Sequence, residues 1–206
     1  MNIITISREF GSGGRELGKR LSDALGYDYY DREIISTIAQ RQGLDENFVE
    51  NTLDSSMWHQ VPLTFRHSFT GLVSVPSSQT ELLTEQRKVI EEIAQLGRNC
   101  IIVGRNADII LEELEPLKIF VCADIESRVN RCIERADVDE TLDRKEIIKN
   151  IKKIDRNRAV SREMISSSKW GDKNSYNLIV NTAGWDIKEL TAPLAAFVTG
   201  WFERTR

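Results

Sequence analysis

Short runs that are apolar at every position alternate along this chain with longer stretches whose apolar residues recur every three or four positions. Runs of the first kind suit strands covered on both faces, and the second spacing is that of helices burying one stripe. Five runs read as strands: Asn2 to Ser7, Tyr27 to Tyr30, Cys100 to Val103, Lys118 to Cys122 and Asn177 to Asn181. Helical patterns fill the gaps, over Gly14 to Leu25, Asp31 to Gln42, Asp45 to Leu53, Gln79 to Leu96, Arg105 to Leu114, Ile125 to Ala136, Asp143 to Ser167 and Ile187 to Phe202. Leu82, Leu83, Val89, Ile90, Ile93 and Leu96 set the period of one helix, and Ile147, Ile148, Ile151 and Ile154 that of another. The alternation predicts an α/β domain, a three-layer sandwich built on a five-stranded parallel sheet. Ser55 to Ser78 breaks the pattern. It holds both histidines, His59 and His67, and two of the four prolines, and reads as an irregular excursion. Its aromatic residues Trp58, Phe65 and Phe69 would either stack on a base or fill a small satellite core.

Composition narrows the function classes. The chain has 206 residues, 40% of them hydrophobic, and a net charge of −4, which fits one globular domain with no overall field for coating a polyanion. Phosphate binding must then come from a local cluster of basic residues. No apolar run nears the roughly 20 residues that span a bilayer, so neither a membrane nor a nucleic-acid polymer is expected as a partner, and the cytoplasm is the expected location. Cys100, Cys122 and Cys132 lie far apart, without the spacing of a disulfide framework or a zinc site.

The clearest candidate chemistry follows the first strand. Arg8 to Leu17 contains Gly11, Ser12, Gly13 and Gly14 and leads into a helix, the setting in which backbone amides at a helix N-terminus hold a phosphate. A complete phosphate loop reads Gly-x-x-x-x-Gly-Lys-Ser/Thr, its lysine on the β and γ phosphates and its hydroxyl on Mg²⁺. In one register the first glycine is Arg8 and the lysine is Gly14. In the other, Arg15 stands for the lysine and Glu16 for the hydroxyl. The alternative is a bare strand-to-helix turn. A dinucleotide fingerprint is disfavoured, because its third glycine falls on Glu16.

Two further segments carry a family resemblance. The run Cys100 to Leu111, with Gly104-Arg105-Asn106, followed by Pro116 to Asp124 and by Glu126 to Arg131, resembles the middle of bacterial cytidylate kinases, members of the nucleoside monophosphate kinase group. Asp155-Arg156-Asn157-Arg158-Ala159-Val160 resembles their lid motif, and Leu178 to Thr182 their final strand. With Tyr29 to Ile35 and Trp170-Gly171-Asp172, the whole chain looks closer still to the cytidylate kinase-like branch. The resemblance implies a P-loop nucleotide-kinase fold with an acceptor-binding insert at about residues 32–97 and a lid at about 137–172. It implies γ-phosphoryl transfer from ATP, with Mg²⁺, to a nucleoside monophosphate, CMP or dCMP first, self-association being left open. Such transfer rests on positioning and charge neutralisation. The alternative is a nucleotide-binding protein of the same fold with weak or no turnover, because the loop lysine is absent.

On this resemblance Arg105 grips the acceptor phosphate, next to Asn106 where the family has an aspartate. The other reading pairs Arg105 with Asp108 at a helix start. Asp155 and Arg158 would contact base or acceptor phosphate, and Arg156 the transferred group; Arg162 follows on the same face, and a solvated charged face explains the same letters. Ile151 stands where the family tends to have an arginine, with Lys152 and Lys153 beside it. Arg128, Arg131 and Arg135 form a stripe, with Arg128 expected on the ATP phosphates and Arg131 and Arg15 catalytic, or else a salt-bridged surface. Asp31 would orient an acceptor hydroxyl or help hold Mg²⁺, or simply cap a helix. Gln86 and Arg87 resemble an acceptor-side pair.

Overall fold

The computed structural model describes residues 1–54, 75–135 and 143–204. His59, His67, Trp58, Phe65 and Phe69 lie outside the described residues. The strands are β1 (Ile3–Arg8), β2 (Asp28–Tyr30), β3 (Cys100–Val103), β4 (Leu117–Cys122) and β5 (Leu178–Asn181). The helices are α1 (Gly14–Leu25), α2 (Arg32–Gln42), α3 (Glu46–Asp54), α4 (Val75–Gln95), α5 (Ala107–Ile110), α6 (Ile125–Glu134), α7 (Arg144–Glu163) and α8 (Ile187–Arg204). All five strands pair in parallel in the order β2-β3-β1-β4-β5. The expected five-stranded parallel sheet is present.

Strand alternation builds the three layers. Ile3, Cys100 and Ile102 point to one face, where α2, α3 and α4 supply Ile34, Ile38, Val49, Leu82 and Ile90. Ile4, Ile6, Ile101, Val103, Ile119 and Val121 point to the other, against Leu17 and Leu21 of α1 and Leu194 and Val198 of α8. Successive side chains of a strand face opposite ways, so an unbroken apolar run feeds both cores at once. α1 lies tight on the sheet because residue 18 is glycine: a Cβ there would meet Val103 at 3.0 Å and Ile6 at 3.1 Å. No helix among the described residues is long and apolar enough to cross a membrane.

Three boundaries depart from the sequence reading by more than two residues, one of them the end of α7, at Glu163 rather than Ser167. α4 begins at Val75, four residues before the expected Gln79, because a proline in the first helical turn gives up no intrahelical hydrogen bond and Pro76 sits there. The single helix expected over Arg105 to Leu114 is instead the four-residue α5 and a 3-10 turn, Glu112–Leu114. Arg105 and Asn106 adopt left-handed backbone, at φ 55 and 54, which delays the helix to Ala107.

Candidate functional site

β1 is where the chain changes direction across the sheet: β3 lies on one side of it and β4 on the other. The carboxyl ends of strands at such a switch point frame a crevice. Here it has a volume of about 860 Å³ and is lined from the glycine loop, the turn after β3, α6 and α7.

The loop between β1 and α1 turns at Gly11 (φ 77) and Gly13 (φ 81). Glycine is required twice over. A Cβ on Gly11 would lie 2.9 Å from the Arg128 carbonyl oxygen, and one on Gly13 would lie 2.4 Å from Ile187 Cδ1. Gly13 is the N-cap of α1 and no side chain caps the helix, so its first N–H groups are open to an anion. Gly13→Ala is expected to destabilise the protein by about 1–3 kcal/mol through left-handed strain and overpacking. An unchanged urea midpoint would contradict this account of the loop. Ser12 is fully buried and its hydroxyl donates to Glu9 O at 2.8 Å. Glu9 in turn accepts from Ala123 N–H at 3.0 Å and pairs with Arg128 at 3.3 Å, tying the loop to the end of β4.

The second wall is strained. Gly104, Arg105 and Asn106 are three successive left-handed residues, the two non-glycines at about 1–2 kcal/mol each. Gly104 N–H donates to Ile6 O at 2.9 Å, Gln86 Nε2 donates to Arg105 O at 3.1 Å, and Asn106 Nδ2 donates to Ser161 Oγ at 3.2 Å. Arg105 does not pair with Asp108. Its Nη2 lies 3.2 Å from Glu50 Oε1 with the side chain 6% exposed, while Asp108 is buried against Arg162 at 2.7 Å.

The basic residues separate into two groups. Lining the crevice are Arg8, Arg15, Arg32, Arg105, Arg131, Arg135, Lys153 and Arg158, against the acids Glu9 and Glu50. Arg128 and Arg156 are not among them. Arg128, expected at the ATP phosphates, sits behind the loop as a strut: its Nε donates to Phe10 O at 2.7 Å, and it pairs with Asp155 and Glu9. Asp155 likewise holds the loop from behind, accepting from Phe10 N–H at 2.8 Å. Arg156, expected near the transferred group, is exposed on the outer face of α7; Lys153, Asn157, Arg158 and Ser161 line the crevice from that helix instead. Arg87 pairs with Glu91 on the surface.

Arg158 Nη1 donates to Arg8 O at 2.9 Å. Arg131 lies beneath the loop and donates to Thr182 O at 2.5 Å, Thr182 Oγ1 at 3.0 Å, Trp185 O at 3.2 Å and Ser12 O at 3.4 Å. Arg15 is 46% exposed and pairs with Asp31, which also lies 3.7 Å from Arg8. Asp31 is buried and its side chain makes no capping bond to α2. Burial raises the thiol pKa of all three cysteines, to about 11 for Cys100, so none is an activated nucleophile. Among the described residues no group of three or more histidine, cysteine or acidic side chains is placed to hold a metal ion.

The charged crevice residues given no site role in the sequence reading include Arg8, Glu9, Arg32 and Glu50. Arg8 was visible as the residue in the first glycine's place, at the crevice end of a strand. Nothing in the sequence links Glu50 to Arg105.

Comparison with known proteins agrees with this architecture. The structure is similar to that of an uncharacterized protein from Eubacterium ventriosum ATCC 27560, with a TM-score of 0.70 and 23% identity, covering 97% of this chain and 99% of that one. It is similar to the shikimate kinase of Bacteroides thetaiotaomicron, with a TM-score of 0.56 and 15% identity, covering 96% and 98% of the chains. A sugar kinase from Janibacter sp. HTCC2649 matches at a TM-score of 0.52 and 10% identity, over 97% and 95%. No curated protein sequence matches. At these identities the structural matches speak for the fold, which is that of the P-loop kinases. The family model describing the cytidylate kinase-like family matches residues 3–184, and with that match spanning both crevice walls the chain belongs to the cytidylate kinase-like family.

Proposed function

We propose that the protein is an ATP-dependent nucleotide kinase that passes the γ-phosphate of ATP to a nucleoside monophosphate, with CMP and dCMP the first candidates. The observation that carries the reading is charge segregation. Among the described residues, eight basic side chains and two acidic ones line the crevice of a chain whose net charge is −4. A dense cationic crevice at a helix N-terminus is what the polyphosphate of ATP and a second phosphate require.

On this reading the N–H groups at the start of α1 take the donor phosphates. Arg105, fixed by Gln86 and the strained turn, takes the acceptor phosphate through its planar fork. The described residues offer no ready metal cage, so Mg²⁺ would enter on the nucleotide, held mainly by phosphate oxygens and water. An ADP-release assay across the common nucleoside monophosphates is expected to show turnover with CMP or dCMP. Folded protein that turns over none of them with Mg²⁺ and ATP would rule the reading out.

A second reading, nucleotide binding without efficient turnover, rests on Gly14 at the lysine position and on the pairing of Arg15 with Asp31. Calorimetry showing firm ATP binding beside no turnover would favour it.

A further inference from the structure

The loop carries no lysine, yet the space for one is filled. Arg8, the last residue of β1, runs across the loop: a Cβ on Gly14 would lie 2.6 Å from Arg8 Cβ and 3.2 Å from Arg8 Cγ. At its far end, a Cβ on Gly104 would lie 1.6 Å from Arg8 Nη1. Two glycines on opposite walls thus open one corridor, and a single arginine occupies it. We propose that Arg8 is the cation that contacts the donor polyphosphate in this crevice, entering from the strand in place of the lysine that a complete loop carries at position 14.

The contrast with its neighbours supports a ligand-directed role. Arg128 and Arg131, also drawn in towards the loop, are engaged by carbonyls and carboxylates of the protein. Arg8 is enclosed, with 11% of its side chain exposed, and among the described residues its guanidinium makes one ion pair, at 3.7 Å with Asp31, and no hydrogen bond. A guanidinium carries five N–H donors, and Arg8 is among the residues that line the crevice. Asp31 is shared with Arg15. Burial first, then the charges of Arg158, Arg105 and Arg15, press the Arg8 pKa down to about 9 against the pull of Asp31. It stays charged at neutral pH, and an anion of several charges beside it would relieve this crowding. A polyphosphate tail is that anion, so the proposal deepens the kinase reading and rests on it for the identity of the donor.

The test uses binding, which needs no turnover. Calorimetric titration with tripolyphosphate and with ATP is expected to show both binding the unaltered protein, and Arg8→Ala weakening both about 10- to 100-fold, the range of a charge-assisted contact. Arg8→Lys should recover part of the loss. The exchange Arg8→Gly with Gly14→Lys, which returns the cation to the helix, should bind more tightly than Arg8→Gly alone. Gly14→Lys by itself, with Arg8 in the same space, should lower the melting temperature. Arg15→Ala is expected to lose less than Arg8→Ala; the reverse order gives the role to Arg15 and overturns the proposal. It is overturned equally if folded Arg8→Ala binds tripolyphosphate within threefold of the unaltered protein, or if the unaltered protein does not bind it. Should Arg8→Ala not fold, a folded Arg8→Gln that binds as tightly as Arg8→Lys has the same force. Arg8-dependent binding without turnover of any nucleoside monophosphate removes the kinase reading and leaves Arg8 standing; turnover beside Arg8-independent binding removes only Arg8.

Discussion

Alanine in place of Asp108 is expected to lower the unfolding free energy by about 3–5 kcal/mol, the range for removing one partner of a buried ion pair. Asp108 and Arg162 meet at 2.7 Å with side chains 2% and 1% exposed. Arg162 also donates from Nε to Ser168 Oγ at 3.0 Å and lies 5.3 Å from the centre of the Tyr176 ring. Removing the carboxylate leaves a buried guanidinium with no counterion and little water. The double variant Asp108→Leu with Arg162→Met is expected to recover much of the loss, since the penalty belongs to the unpaired charge rather than to the missing attraction. Urea unfolding decides it, and a single-variant change below about 1 kcal/mol would show that the pair is solvated in solution. The pair also bears on the crevice, because it fastens α7, the source of Lys153, Asn157 and Arg158, to α5, which begins just after Asn106.

That same pair shows where sequence reading stops. Arg162 shares a helix face with Asp155 and Arg158 by spacing, and spacing alone made all three one charged face. In the structure Arg162 is almost fully buried, Asp155 braces the loop, and Arg158 lines the crevice. Period identifies which side chains share a face, but only packing decides whether that face meets water, a core or a ligand. Apolar runs suffer no such ambiguity. Cys100 to Val103 is hydrophobic at every position and lies buried at every position, so the strands were legible to within a residue at their ends. The left-handed turn at Arg105 and Asn106 was not, because asparagine adopts positive φ far less often than glycine and arginine seldom does.

The loop shows the complementary case. Its glycines and its place after β1 were readable, and Gly11 and Gly13 do turn with positive φ where a Cβ would not fit. Its basic residue was sought along the helix, at position 14 or 15, because the sequence motif counts forward from the strand. Space in the folded chain does not follow that count. Arg8 precedes the loop in sequence and crosses it in the fold, so a letter that looked like a lost glycine also fills the space beside position 14.

Arg105 carries the largest expected effect on activity. On the proposed reaction, Arg105→Ala should reduce kcat/KM for the acceptor about 10²–10³-fold, the usual consequence of removing one well-placed charge from a transferring group. Arg105→Lys should recover only part of that, since an ammonium keeps the charge but loses the fork that grips two phosphate oxygens. The split between constants locates the residue. If Arg105 holds the acceptor equally before and during transfer, KM for the acceptor rises while kcat and KM for ATP change little; a fall in kcat at unchanged KM would place it on the group in flight. Its partner supplies the control. Glu50 occupies Arg105 at 3.2 Å in the open crevice, so an incoming phosphate must displace a carboxylate. Glu50→Gln, which keeps the shape and removes the charge, should therefore lower the acceptor KM, and Glu50→Gln with Arg105→Ala should show no such gain. An acceptor KM unmoved by either Arg105 variant would detach this turn from the acceptor altogether, and its strained backbone would then need a different explanation.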